Sequence, residues 1–173
     1  MAVTIRIVEA QPETYPAVSG VTGDALAAAW QRVEAYVDHR WAARNVTFHV
    51  EGTGEWDSPL SPATFTKAEV WRDGDWVELT LPAAPLGGYL LAEHGPFRFT
   101  GTVGAGPVPA AVAMAVKRLA EYQGAKMGKP GARNERIGAG SINLSHSRHE
   151  AWLARAIQNS RAGDLLRPYR RPR

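Results

Sequence analysis

The hydrophobic periodicity of the chain changes twice, and this limits the folds that the chain can adopt. At about 23–43 and about 108–127, apolar residues recur every three or four positions, which is typical of amphipathic helices. Between them, at about 46–104, apolar and polar residues alternate, which is typical of half-buried strands. The sequence therefore predicts an α+β fold in which an antiparallel β unit is inserted between two helices.

A short segment in the alternating region predicts a β-hairpin with a defined register. Residues 71–76 read Trp-Arg-Asp-Gly-Asp-Trp, and Asp73-Gly74 favours the type I′ turn because both central positions need positive φ. A two-residue turn pairs Trp71 with Trp76, and it also pairs the arginine and the aspartate that flank the turn. Because aromatic residues are enriched at the cores of interfaces, Trp71 and Trp76 at the hairpin tip predict a contact between subunits.

The last part of the chain predicts a loop, a shorter helix and a tail. Residues 128–145 are rich in glycine and predict a long loop. Ser147 and Glu150 have the spacing of a capping box, which predicts the start of a third helix. Residues 163–173 predict an extended tail, because their few apolar groups cannot offset the entropy lost on ordering.

These elements predict a small helical bundle with an inserted antiparallel β unit and an extended C-terminal tail. The predicted ranges are helices at about 23–43, 108–127 and 147–161, a β insertion at about 46–104, a single domain over 1–162 and a docking tail over 163–173.

Most of the positive charge lies at the C-terminal end. The chain has a net charge of +3, and residues 161–173 alone carry +4, which leaves −1 for the other 160 residues. A local basic segment predicts an interaction arm. A nucleic-acid-binding module is one alternative, but its binding surface would need a basic stripe that the slightly acidic body does not show.

No set of residues in the sequence indicates catalysis, a cofactor or a metal. The absence of cysteine excludes disulfides and thiolate metal sites. The glycine-rich segment 101–106 runs into Pro107-Val108-Pro109, which removes two N–H donors where a phosphate would bind. His146, His149 and Glu150 are clustered, but no further ligand lies near them, so we expect capping and solvent-facing roles. An enzyme is therefore an alternative without support.

The N-terminus and the hydropathy of the chain predict neither secretion nor membrane insertion. The first residues lack a charged segment followed by an apolar one, as a signal peptide would have. No apolar run approaches the roughly 18 residues that a membrane span needs. We expect the chain to stay in the cytoplasm of the producing cell unless a particle carries it out.

Three segments carry a family resemblance. The first is the helix Ala25–Val37, followed by Arg40-Trp41. The second is Phe97–Pro109, a strand and a glycine turn that lead through Val-Pro into the alanine-rich helix Ala110–Tyr122. The third is Ala162–Arg170, which ends in Leu-Leu-Arg-Pro-Tyr-Arg. In this order and spacing they resemble the head–tail connector (adaptor) family of long-tailed bacteriophages, which also occurs in prophages and gene transfer agents.

The resemblance implies a structural protein of the virion neck and not an enzyme. It implies a ring, commonly of twelve copies, which stacks beneath the portal protein and surrounds the channel for genomic DNA. A stopper or tail-completion protein would bind the distal face. A stopper of the same neck is the closer alternative, although stoppers tend to be small β-barrels and this chain has long helices at both ends of its β unit. The resemblance assigns the contact with the portal to Leu165, Leu166, Arg167, Pro168, Tyr169, Arg170 and Arg171.

Overall fold

The chain divides into two compact units, and each combines segments that are distant in sequence. The computed structural model describes residues 1–125, 134–139, 142–147 and 154–170. Unit 1 consists of Met1–Pro16 and Asp38–Pro107, and unit 2 consists of Ala17–Val37 and the chain from Val108 onward. Helices and antiparallel sheets both occur, so the predicted α+β class is confirmed.

Unit 1 contains seven strands in two antiparallel sheets. The strands are β1 (Val3–Glu9), β2 (Arg44–Glu51), β3 (Gly54–Trp56), β4 (Ala63–Arg72), β5 (Asp75–Glu78), β6 (Tyr89–Leu91) and β7 (Pro96–Val103). The larger sheet has the order β1-β2-β7-β4-β5, and β3 pairs with β6 in the smaller one. The predicted β unit therefore also takes up the N-terminal strand, which pairs with β2 at one edge.

Alternating residues of these strands form an aromatic core on one face of the larger sheet. Phe48 lies opposite Phe99 in the ladder of β2 and β7, and both side chains are fully buried. The ring of Trp56 stacks on that of Phe99 with 4.3 Å between centroids. The indole Nε1 of Trp56 donates a hydrogen bond of 2.8 Å to Thr4 Oγ1, which fixes β1 to the same core. The period-two pattern thus buries one set of residues and leaves the other set on the opposite face.

The predicted hairpin is confirmed. The ladder of β4 and β5 pairs Trp71 with Trp76, and it pairs Arg72 with Asp75. The two turn residues have φ values of 51° at Asp73 and 89° at Gly74. Positive φ at both central positions is what the type I′ turn requires.

Unit 2 is mainly helical. Its elements are α1 (Gly23–Val37), α2 (Ala110–Gly124), the hairpin strands β8 (Asn134–Ala139) and β9 (Ile142–Ser147), α3 (Ala156–Asn159), α4 (Ala162–Leu166) and a 3₁₀ turn (Arg167–Tyr169). Helix α2 packs against both α1 and α4. The buried stripe of α1 contains Trp30, Val33 and Val37, whose spacing of three and four agrees with the predicted amphipathic helix.

The first two helices are shorter than predicted. Helix α1 ends at Val37 instead of about 43, because Asp38 takes a left-handed conformation with a φ of 56°. Helix α2 begins after Pro109, whose ψ of 144° lies outside the helical region, and it ends at Gly124. Apolar spacing did not reveal these stops, because Trp41 continues the helical pattern beyond the point where the backbone leaves the helix.

The prediction of a long loop over 128–145 and of a helix from 147 is wrong. Strands β8 and β9 occupy much of this region, and Ser147 belongs to β9, so it does not begin a helix. Their ladder pairs Ile137 with Leu144, and it also pairs Gly138 with Asn143. Glu150 lies outside the described residues, and within the described part of the predicted range 147–161 the helical residues are those of the four-residue α3.

The prediction of an extended C-terminal tail is also wrong. Residues Ala162–Leu166 form α4, and a 3₁₀ turn follows directly. Ala162 and Leu166 are fully buried, and packing against α2 supplies the stabilisation that so short a helix lacks alone. The predicted boundary at 163 therefore does not coincide with a boundary between the two units.

Candidate interaction surfaces

The face of the larger sheet opposite the aromatic core carries polar and charged residues, and we call it the outer face. Along each strand, residues of the outer face alternate with residues of the core. In β2, for example, Thr47 and His49 of the outer face flank the buried Phe48. The outer face bears a shallow depression of about 370 Å³, lined by Val8, Thr47, His49, Lys67, Glu69, Arg98 and Thr100.

An ion-pair network lies at the centre of this depression. Arg98 Nε lies 2.6 Å from Glu69 Oε2, and Lys67 Nζ lies 2.7 Å from Glu69 Oε1. The hydrogen bond from Arg98 and the contact with Lys67 outweigh the opposing effect of burial and lower the pKa of Glu69 to about 2. Because both cations are more exposed than Glu69, the depression presents positive charge to solvent around an ionised carboxylate.

His49 adds an uncharged group beside this network. Burial, together with the positive charges of Arg6 and Arg98, lowers the pKa of His49. In the described part of the chain, the buried Nδ1 atom of His49 has no hydrogen-bond partner. The imidazole ring lies 6.1 Å from the Trp76 ring, centroid to centroid, so it joins the charged depression to the aromatic end of the sheet.

The two tryptophans predicted as subunit contacts lie together at the β5 end of the outer face. Their ring centroids are 5.3 Å apart in an edge-to-face arrangement. Trp71 is 42% exposed, whereas Trp76 is half-buried beneath Arg98, whose guanidinium carbon lies 4.5 Å from the ring centroid. The structure thus places both residues where another chain can reach them, and the subunit contact stays a prediction.

The predicted portal-contact residues differ in their accessibility. Leu166 is fully buried, so it stabilises unit 2 and presents nothing to a partner while α4 is folded. The other described members are half-buried (Leu165 and Tyr169) or exposed (Arg167, Pro168 and Arg170), and Arg171 lies outside the described residues. Among the exposed members, Arg170 holds its guanidinium carbon 4.8 Å from the ring centroid of Tyr36.

A second shallow depression lies near the C-terminal segment. Its volume is about 500 Å³, and its lining residues are Arg118, Glu121, Tyr122, Asn159, Ser160 and Arg161. Asn159 Nδ2 donates a hydrogen bond of 3.1 Å to the hydroxyl of Tyr122, which links α3 to α2.

The glycine turn that resembles a phosphate-binding loop has a structural role. The backbone N–H of Gly104 donates a hydrogen bond of 2.9 Å to the carbonyl of Pro62. Gly104 has a φ of 87°, and a Cβ at this position would lie 2.4 Å from the carbonyl oxygen of Ala42. Only glycine fits this close approach between two loops.

Within the described ranges, no three histidine, cysteine or acidic residues cluster in a way that would bind a metal ion. The predicted group of His146, His149 and Glu150 lies outside the residues whose side chains are described. Among the described helices, none has the length and apolar character needed to cross a bilayer.

The network of Lys67, Glu69 and Arg98 was not predicted from the sequence. Its only local signal in the sequence is that the charged residues Lys67 and Glu69 are two positions apart, just before the predicted hairpin in the chain. The ladder brings Glu69 opposite Arg98, which is 29 positions away in the chain. A bulge between Phe65 and Lys67 interrupts the alternation and hides this signal.

Comparisons with known proteins give matches among solved structures. No protein-family model matches the sequence, and no curated protein matches it. A chain in the neck of a native gene transfer agent particle, computed with C12 symmetry, matches with a TM-score of 0.53 and 17% identity, over 86% of this chain and 81% of that one. A chain in the neck of an empty particle, computed with C6 symmetry, matches with a TM-score of 0.53 and 19% identity, over 86% and 77% of the two chains.

A third match comes from the virion of a native gene transfer agent particle. Its TM-score is 0.55 at 15% identity, and the match covers 90% of this chain and 82% of that one. At such identities the matches establish a common fold. The resemblance stated from the sequence is thus confirmed at the level of the fold: the chain has the fold of proteins found in the neck and virion of gene transfer agent particles.

Proposed function

We propose that this chain is a structural protein of a particle neck, namely the head–tail adaptor that forms a ring beneath the portal and surrounds the DNA channel. The observation that carries the proposal is the fold shared with chains of gene transfer agent necks, over most of the length of both chains. The adaptor joins the capsid to the stopper and the tail, and its activity is assembly, without catalysis or a cofactor. The C12 symmetry of one of these necks supports a ring of twelve copies.

The helices favour an adaptor over a stopper. Stoppers of this family tend to be small β-barrels, whereas unit 2 is built around the packing of α1, α2 and α4. An adaptor binds the portal directly, and a stopper needs the adaptor to be present first. The chain, mixed with a portal ring of the same particle and without other neck proteins, is therefore expected to co-purify with it. Electron microscopy of this complex would then show an added ring, and no co-purification would count against the adaptor.

The accessible part of the C-terminal segment is the proposed portal contact. Arg167 is exposed and follows directly on α4, so its guanidinium is free to pair with carboxylates of a partner. Leu165 and Tyr169 are half-buried beside it and offer apolar surface at the same place. Leu166 instead acts indirectly, since its burial holds the segment on unit 2.

A charge reversal tests this contact without removing the segment. The substitution Arg167→Glu is expected to lower the affinity for the portal by at least about tenfold, because an attractive charge contact becomes repulsive. Arg155→Glu makes the same change in net charge at another exposed position of unit 2 and is expected to leave the affinity unchanged. Equal losses in both variants, measured by biolayer interferometry, would mean that net charge and not this contact governs binding.

A further inference from the structure

Strand β1 forms an unusually apolar edge of the larger sheet. It is seven residues long, it ends the strand order, and among the strands of the described residues it pairs with β2 alone. Ile5 is 57% exposed, and Val3, Ile7 and Val8 are exposed as well. Long apolar edge strands attract other chains, and proteins normally protect such edges with charges, prolines or a covering element. Apart from the termini of the strand, Arg6 is the only charged residue along β1.

The opposite edge of the same sheet has a matching composition with the opposite charge. Strand β5 ends the strand order on that side. Val77 is 41% exposed, and the adjoining Trp71 on β4 is exposed to a similar degree. The acidic residues Asp75 and Glu78 lie at the two ends of β5, and the Glu78 side chain is 67% exposed. Glu9 of β1 is paired with Arg40 and Arg44, so Arg6 is the positive charge that the β1 edge adds to its apolar residues. The β5 edge combines its apolar residues with Asp75 and Glu78, and Lys67 Nζ lies 3.9 Å from the Glu78 carboxylate.

A closed ring needs two different surfaces on every copy, because each copy contacts its two neighbours head to tail. The two edges of one sheet are different surfaces that face away from each other. From these observations we infer that the β1 edge of one copy contacts the β5 edge of the next copy in the ring. This inference rests on the proposed function, since it names the surface through which the proposed ring closes.

The charges favour this head-to-tail contact over contacts between like edges. Two β1 edges would bring Arg6 near its own copy, and two β5 edges would bring four carboxylates together, so both arrangements carry repulsion. In the head-to-tail arrangement, Arg6 meets Glu78, since both lie on the outer face of the sheet. The isoleucines and valines of β1 then cover Val77 and Trp71, and the free N–H and C=O groups of the two edges gain partners. Aromatic and aliphatic side chains at the centre with charges at the rim are typical of stable interfaces.

The absence of cysteine allows a direct test by cross-linking. The double variant Ile5→Cys/Val77→Cys, in the full chain assembled on the portal ring, is treated with a short bis-maleimide and analysed on a denaturing gel. The expected result is a ladder of products beyond the dimer, because each copy links to two neighbours. Each single-cysteine variant is expected to remain a monomer. Met114→Cys/Val77→Cys is the matched control, because Met114 is an apolar residue of similar exposure (48%) on α2.

The outcomes separate this inference from the proposed function. Dimers from a single-cysteine variant would show that like edges meet, and they would overturn the inference. The absence of cross-links in the double variant, or an equal ladder in the control, would overturn it as well. If the chain nevertheless co-purifies with the portal, the adaptor function stands and only the ring contact is wrong. If it does not bind the portal at all, the proposed function fails independently of the cross-links.

A charge exchange provides a second test. Arg6→Glu and Glu78→Arg, each alone, are expected to reduce the number of copies retained on the portal, because each places like charges at the contact. The combined variant Arg6→Glu/Glu78→Arg restores opposite charges and is expected to recover most of the loss. Mass photometry of the complexes measures the retained copies. A combined variant that is no better than the worse single variant would overturn the contact between these edges.

Discussion

Glu69 remains ionised although it is only 3% exposed. Burial alone would raise the pKa of a carboxyl group, but the hydrogen bond from Arg98 and the contact with Lys67 lower the pKa of Glu69 to about 2. Its charge is therefore tied to folding, since the carboxyl loses the hydrogen bond from Arg98 when β4 and β7 separate. The same two cations face solvent at the surface of the depression, so Glu69 also holds them in place there.

The pH dependence of stability tests the role of Glu69. The substitution Glu69→Gln is expected to lower the free energy of unfolding by about 1–2 kcal/mol near pH 7, because it removes the negative charge and replaces one of the two oxygens that Arg98 and Lys67 contact with an N–H₂ donor. The exposure of both cations limits the loss. The folded-state pKa lies below the ordinary value, so the stabilisation is complete above about pH 4.5 and disappears as the pH falls towards 2. Urea unfolding of both proteins at a series of pH values measures the difference.

The exposed Glu78 provides the matched control. Glu78→Gln is expected to change the free energy of unfolding of the monomer by less than about 0.5 kcal/mol at any pH in this range. A Glu69→Gln deficit that persisted unchanged at pH 2 would contradict the assignment of the stabilisation to the ionised carboxylate.

At the scale of elements, the structure confirms the predictions that depend on residues close together in the sequence. The β4–β5 hairpin was predicted with its turn and register, because Asp73-Gly74 sets both through local backbone preference. The helical character of α1 and α2 follows in the same way from apolar spacing. The ends of these helices were less predictable. The left-handed conformation of Asp38, which ends α1, depends on the path of the segment that follows and not on apolar spacing.

One local element and two features that depend on distant residues were missed. The hairpin of β8 and β9 is local, since Ala139 pairs with Ile142, but the glycines in this part of the sequence suggest a loop. Helix α4 is too short to form alone, and no local pattern shows that Leu166 packs against α2. The Glu69 network was missed for the same reason, since its partner Arg98 lies on another strand.

Truncation of Leu166 tests whether α4 is an integral part of unit 2. Leu166→Ala is expected to lower the free energy of unfolding by about 2–4 kcal/mol, because it leaves a cavity where a fully buried side chain packs against α2. Leu165→Ala removes the same atoms from a half-buried position and is expected to cost clearly less. Urea unfolding followed by circular dichroism measures both. Equal, small losses would instead support a detached tail.

At the scale of the whole molecule, positive charge and secondary structure are distributed unevenly along the chain and between the two units. The basic segment 161–173 carries +4, and the rest of the chain carries −1. Much of that basic segment belongs to α4 and to the 3₁₀ turn of unit 2. The larger sheet, with its paired charges and its two apolar edges, belongs to unit 1. The proposed contacts with the portal and with neighbouring copies therefore lie on different units.

DNA binding distinguishes an adaptor from a nucleic-acid-binding accessory protein. A neck protein needs only to let DNA pass, so we expect a Kd above about 1 μM for duplex DNA at physiological salt. With an excess of four charges, the slope of log K against log salt is expected to be no steeper than about −4. Fluorescence anisotropy over a salt series measures both quantities. Nanomolar binding that survives 0.2 M salt would favour the accessory protein instead.

The burial of Leu166 against α2 also has a consequence for the order of events during assembly. A free copy keeps this side chain covered, so a partner that meets the C-terminal segment contacts its exposed arginines and the half-buried Leu165 and Tyr169. A partner that bound Leu166 itself would first have to unfold α4. The free energy needed for this unfolding would lower the affinity of that partner unless new contacts supplied as much. The folding of α4 thus precedes binding, so a partner meets an already ordered segment and need not supply the free energy of ordering it.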